Sequence, residues 1–146
     1  MPDRRDVLRM GVGLVALAGV ARAAEDASGK SAPGPSQPLR TLAKAIGECV
    51  GVGNECLAHC LTLLGSGDTS LADCAKTVRD MLAVCAATQA LVASNSTHMK
   101  PAVQLCLDVC TDCERACRKH EGHHAVCKAC ADACAATAKA ARAFLA

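Results

Sequence analysis

Twelve cysteines in 146 residues constrain this chain more than any other feature, because of how they are spaced. An α-helix turns about 100° per residue, so side chains three, four, seven and eleven positions apart share a face. On that turn Cys106, Cys110, Cys113 and Cys117 fall within about 60° of one another, and Cys127, Cys130 and Cys134 do the same. Cys49, Cys56 and Cys60 fall within about 40°, and Cys74 and Cys85 within about 20°. Every cysteine therefore lies on one stripe of its own helix, at a and d positions where a bundle normally places leucine.

The breakers between these stripes set the helix count. The first helical segment runs from Leu39 to Leu64 and stops at Gly65-Ser66-Gly67. The second starts where Asp68 or Thr69 can cap it and ends near Ser94-Asn95-Ser96. The third begins around Thr97, takes Pro101 in its first turn where a missing N–H is harmless, and ends at Glu121-Gly122. The fourth runs from His123 to the C-terminus. Short connections favour antiparallel neighbours, so the expected fold is all-α: an antiparallel up-down-up-down four-helix bundle with a cysteine-lined core over residues 39–146. Gly47, Gly51 and Gly53 each weaken the first helix by about 1 kcal/mol relative to alanine. They read as close-approach positions.

Composition excludes several classes. A single ring, Phe144, with 30 alanines, means a core of small side chains closely packed. Hydrophobic residues at 51%, with 16 basic against 14 acidic side chains, rule out ordinary disorder. A nucleic-acid partner is disfavoured, because there is neither a basic excess nor a set of rings for bases to stack on. No Ser/His/Asp set, paired buried carboxylates or phosphate-cradling glycine loop is evident, so the chain does not read as an enzyme.

Such a column of thiols has three uses. Cysteine packs as a small hydrophobe, although a dozen on the core faces of one small protein exceeds that need. An even count suits a disulfide scaffold, but i and i+4 cysteines on a helix have poor bridging geometry, so only bridges between helices remain open. Converging thiolates select soft metals: Cu(I), Zn(II) or iron-sulfur clusters. Cys-x-x-x-Cys occurs four times (56/60, 106/110, 113/117, 130/134) and Cys-x-x-Cys twice (110/113, 127/130). Helical i, i+4 thiolates can lie on either side of one ion, which suits two-coordinate Cu(I), whereas zinc and iron-sulfur ligands usually sit on loops.

The N-terminus reads as an address. Arg4-Arg5 precedes an apolar run from Met10 to Val20 and the small-x-small sequence Ala21-Arg22-Ala23. Residues 1–23 resemble a twin-arginine export signal, and the run is about half the roughly 20 residues of a spanning helix. The expected mature chain is periplasmic, with no membrane anchor. Residues 24–38, with three prolines and no apolar periodicity, read as a flexible linker.

The stretch Cys49-Val-Gly-Val-Gly-Asn-Glu-Cys56-Leu-Ala-His59-Cys60, the Asp68-Thr-Ser loop and Cys127-Lys-Ala-Cys130-Ala-Asp-Ala-Cys134 resemble the exported bacterial copper storage proteins over residues 39–146. The resemblance implies a four-helix bundle holding many Cu(I) ions along its axis, commonly assembled as a homotetramer. It implies that all twelve cysteines, Cys49, Cys56, Cys60, Cys74, Cys85, Cys106, Cys110, Cys113, Cys117, Cys127, Cys130 and Cys134, are core ligands. His59 corresponds to a histidine near the open end where copper enters. The family's mouth methionines are absent, with Leu63, Ser66 and Leu71 in that region. The resulting expectation is high-capacity storage or buffering of Cu(I), with copper ions and a copper-accepting protein or chelator as partners. The alternatives are a disulfide-stapled structural or interaction bundle and a zinc-type thiolate buffer.

Antiparallel topology would bring His120, His123 and His124, in the third-to-fourth helix turn, to the same end as His59. These histidines are therefore candidate copper-entry residues. At the other end Met99 continues the third helix's cysteine stripe, Met81 lies between Cys74 and Cys85 as a core residue, and His98 reads as a surface residue near a helix start.

Overall fold

The computed structural model describes Gly34 and residues 36–146; the expected export signal at 1–23 and most of the linker lie outside them. Four helices follow in order: α1 (Gln37–Gly65), α2 (Ala72–Ala93), α3 (Met99–Arg118) and α4 (Ala125–Leu145). Each packs on its sequence neighbours, and α4 closes the ring against α1, while the diagonal pairs do not touch through their backbones. Pairings run in opposite directions along neighbouring helices. Gly47 lies by Gln89 and Gly53 by Met81, Cys74 meets Cys117, Cys85 meets Cys106, and the Thr137 hydroxyl donates to the Ala45 carbonyl while His59 meets His124. The architecture is the up-down-up-down bundle expected from the stripes. No described helix is long and apolar enough to cross a membrane.

Helix ends differ from the sequence reading by a few residues, for local reasons. α1 begins at Gln37, two residues early, with Pro38 in the first turn, where its fixed φ suits the helix and no N–H is needed. It ends in a Schellman turn: Gly67, at φ 90°, donates its N–H to the Leu64 carbonyl, and Asp68 N–H donates to Leu63. α2 ends the same way, with Asn95 at φ 50° and Ser96 N–H donating to the Leu91 carbonyl. Asp68 does not cap α2. Its carboxylate accepts the Ser70 N–H at 2.9 Å, which shapes the turn and delays the helix to Ala72. α3 stops at Arg118, short of Glu121, and the guanidinium of Arg118 reaches Glu121 at 2.9 Å and Asp132 of α4 at 2.7 Å, tying the last connection down.

The interior divides along the axis. Leu42 and Ile46 of α1, Val92 of α2, Val103 of α3 and Ala138 and Ala141 of α4 fill the end where the chain enters the bundle. Thr88 and Thr137 close that layer; besides the carbonyl one turn back, each hydroxyl reaches a neighbouring helix, at Ala102 and Ala45. These two threonines are the only buried polar side chains among the described residues, and no buried side-chain nitrogen or oxygen lacks a partner. Everything else with chemistry inside this bundle is sulfur.

Of the three expected close-approach glycines, Gly53 alone fills that role. A Cβ at Gly53 would stand 2.6 Å from the Met81 methyl, whereas Gly47 has only ordinary contact room and Gly51 faces open space. A sequence shows that a helix has lost a side chain. It does not show what stands opposite.

Candidate metal centre

All twelve cysteines are buried, at 0–1% exposure, and all are free thiols. Eleven of them form five triads in which the three sulfurs lie within 4.8 Å of one another: Cys85/Cys106/Cys110, Cys49/Cys110/Cys134, Cys113/Cys130/Cys134, Cys56/Cys117/Cys130 and Cys56/Cys74/Cys127. Consecutive triads share a member, in turn Cys110, Cys134, Cys130 and Cys56, so the triads join into one column. Cys60 stands beside the end of the column formed by Cys56, Cys74 and Cys127, in electrostatic contact with Cys74 and Cys127. Cys49 of α1 and Cys110 of α3 belong to one triad although their helices are diagonal, which puts the sulfurs on the axis.

The spacing argument anticipated chelation by i, i+4 pairs within one helix. Such contacts exist, Cys106–Cys110 and Cys113–Cys117 at 4.0 Å, but the shorter ones cross between helices. Cys74–Cys117 is 3.3 Å, Cys85–Cys106 3.5 Å, Cys85–Cys110 3.6 Å and Cys49–Cys134 3.7 Å. Taking a metal–thiolate bond of about 2.3 Å, as for zinc, two sulfurs in line across an ion stand about 4.6 Å apart and three in a triangle about 4.0 Å. The column is preset close to the triangular spacing, and small rotamer shifts reach the linear one. Nothing in it needs the loops that usually bring zinc ligands together.

Burial and mutual contact split the thiols electrostatically. Removal from water pushes Cys60 up to about 12 and Cys127 up to about 11, Cys74 adding to both. Cys74 is drawn down to about 3 by hydrogen bonding from Cys117 and then Cys56, and Cys106 to about 4 by Cys110 and then Cys85. Cys49 and Cys130 also fall, through Cys110 and Cys113 respectively. Among the neighbours that hold the lowered sulfurs, Cys117 and Cys134 are themselves pushed up and stay protonated. A chain of acceptors stabilised by S–H donors is suited to exchanging protons for monovalent soft cations.

At the end bearing the α3–α4 connection, His59 Nε2 and His124 Nδ1 are 3.0 Å apart, with rings tilted by 58°. His124 is thus the imidazole that meets His59. His120, on the same turn, is half-buried and His123 is exposed. The Asp68 carboxylate, held below its ordinary range by the Ser70 N–H, also feels the charge of His124. Leu71, at the same end, is fully buried. At the opposite end Met99 lines a groove of about 570 Å³ with Leu39, Val92 and Phe144; no thiol lines it, and His98 is exposed there.

Residues 35–146 match the family model described as copper storage protein. The chain belongs to that family. It is 33% identical over 86 residues to an uncharacterized cysteine-rich protein, YhjQ, of Bacillus subtilis (strain 168), covering 59% of this chain and 76% of the relative. Two solved structures share its fold. Apo copper storage protein 3 from Bacillus subtilis is 30% identical, with a TM-score of 0.65 over 73% of this chain and 98% of that one. The Cu(I)-bound copper storage protein BsCsp3 is 29% identical, with a TM-score of 0.67 over 75% of this chain and all of that one. For a copper storage protein, the axial column of shared triads is the structural element that matters: it gives many equivalent positions rather than one site.

Proposed function

We propose that this chain is a high-capacity store of Cu(I), holding multiple ions on the thiolates of Cys49, Cys56, Cys60, Cys74, Cys85, Cys106, Cys110, Cys113, Cys117, Cys127, Cys130 and Cys134. The single observation that carries the reading is the continuity of the column. Triads that share corners let each thiolate bridge two ions, which discrete zinc sites do not require, and a soft S-only interior selects Cu(I) over harder cations. Turnover is not part of this role. The resemblance of residues 1–23 to a twin-arginine signal supports delivery to the periplasm. A homotetramer is the assembly that the family pattern suggests.

A thiol count tests this reading against a disulfide-stapled bundle. Freshly isolated protein, stripped of copper without reductant under anaerobic conditions and then denatured, should titrate with a disulfide reagent as about 12 reactive thiols. A count near zero before reduction would favour the stapled bundle.

Copper enters and leaves at the His59–His124 end. Four packed helices leave no lateral opening, and imidazoles bind copper readily. Two nitrogens on either side of a metal stand about 4 Å apart, taking a metal–nitrogen bond of about 2.0 Å, so the 3.0 Å pair must part by about 1 Å to admit an ion. Asp68 beside His124 adds a negative charge that attracts cations to the mouth. The double substitution His59→Ala/His124→Ala should slow loading and chelator-driven release by about tenfold or more with capacity within one ion of the parent, as expected of a gate rather than a store. His120→Ala/His123→Ala should have the smaller effect. Parental rates in the double variant, with slowing on Met99→Leu instead, would place entry at the other end.

A further inference from the structure

α2 contributes only two thiols, Cys74 and Cys85, and the axis-facing positions between them are held by Val78 and Met81, both fully buried. Met81 is not merely filling space there. Its Sδ lies 3.5 Å from Cys49 Sγ, while Cys49 is 3.7 Å from Cys134 and shares a triad with Cys134 and Cys110. The methyl group of Met81 sits where a side chain at Gly53 would be: a Cβ on Gly53 would approach it to 2.6 Å and Leu82 Cδ2 to 3.0 Å. The missing side chain at Gly53 thus gives the thioether's methyl a seat in α1 and leaves the sulfur turned toward the thiol column.

We infer that Met81 is a thirteenth sulfur ligand, whose thioether joins Cys49 in holding one Cu(I) inside the column. The inference rests on the storage reading above and adds a mixed thiolate/thioether position to it. A thioether is a soft donor suited to Cu(I), and it is neutral, so it binds without giving up a proton. Cu(I) with the Cys49 thiolate and Met81 is a neutral unit, whereas Cu(I) between two unshared thiolates carries a negative charge that burial disfavours. Each sulfur spacing around Cys49, 3.5 Å to Met81 and 3.7 Å to Cys134, is shorter than the roughly 4.6 Å of a linear pair. The ion there is held by Cys49 and Met81, with Cys134 close by as a thiolate shared with the next triad.

Selenium makes the contact visible. The chain has four methionines, Met1, Met10, Met81 and Met99, so selenomethionine-labelled full chain loaded anaerobically with Cu(I) alone should show a selenium–copper scattering path in selenium-edge X-ray absorption that is absent before loading. That path should persist in Met99→Leu and fall to background in Met81→Leu, a volume-conserving change that keeps the bundle packed. Retention of the path in Met81→Leu, or its absence from labelled protein that takes up many copper ions, overturns the assignment while leaving the storage reading intact. Failure of the labelled parent to take up more than a few ions overturns the storage reading, and this inference with it. Circular dichroism on each variant before loading identifies any that fails to fold, and for Met81→Leu the second substitution Met81→Ile then supplies the same comparison.

Discussion

Anaerobic titration against a competing Cu(I) chelator is expected to saturate near one copper per cysteine, about 12 per chain. If each ion binds two thiolates and each thiolate bridges two ions, ligands and ions are equal in number. Charge gives the same answer: as many Cu(I) ions as thiolates leave the buried column neutral, avoiding a cost of several kcal/mol for each unpaired ion. Because Cys56, Cys60, Cys85, Cys110, Cys117, Cys127 and Cys134 are pushed up and keep their protons in the empty protein while Cys49, Cys74, Cys106 and Cys130 are drawn down, loading should release protons, but fewer than one per ion, measurable in weakly buffered solution. The shared corners sharpen the expectation. Cys130 belongs to two triads and Cys60 to none, so Cys130→Ala should lose about two ions where Cys60→Ala loses about one, counted by native mass spectrometry. Saturation at two to four ions would point to zinc-like or regulatory sites instead. Equal losses in the two variants would mean that the ions are held pairwise rather than along a shared column.

How much of this was legible before the fold follows from the geometry of a helix. A repeat of three and four residues determines which side chains share a face, so the burial of every cysteine could be read from spacing, while the breakers and the short connections supplied the number of helices and their antiparallel order. Contacts across helices depend on axial register, and register is a property of the packed bundle. That is why the i, i+4 pairs were anticipated and the tighter Cys74–Cys117 and Cys85–Cys106 contacts were not. The same limit separates Gly53 from Gly47 and Gly51: all three look alike along the chain, and only Gly53 has Met81 across from it. The His59–His124 pair lies between these cases. Topology brings the third connection to the end that bears His59, but the extended backbone of His124, at φ −131° and ψ 102°, selects this imidazole over those of His120 and His123. Helix ends shifted where turn chemistry competed with periodicity, as at Asp68, whose carboxylate organises its own turn instead of capping α2.

The empty protein is expected to be folded already, and the filled one to be far more resistant to heat. Protonated thiols behave as small apolar side chains, and Leu42, Ile46, Leu71, Val78, Met81 and Val103 are fully buried around them. No carboxylate or amine is buried among the described residues, so the charge in an interior without copper is confined to the lowered thiols Cys49, Cys74, Cys106 and Cys130, which hydrogen bonds from neighbouring thiols stabilise without a metal. Far-UV circular dichroism of copper-free protein should therefore retain nearly the full helical signal. Filling then acts by mass action: an ion that binds only the native state at a free concentration a hundred times its Kd adds about 2.7 kcal/mol. Thiols of the unfolded chain also bind Cu(I), which reduces the gain per ion, but they are not held in shared triads and cannot bridge ions in the same way. Even about 1 kcal/mol net for each of several ions raises the melting point by about 20 °C or more, since each such increment moves a domain of this size by about 4 °C. Thermal melts of copper-free and loaded protein under anaerobic conditions measure both quantities. A copper-free chain lacking most of its helix would show that metal drives folding, as in a zinc finger; equal melting points would show that the ions sit outside the core.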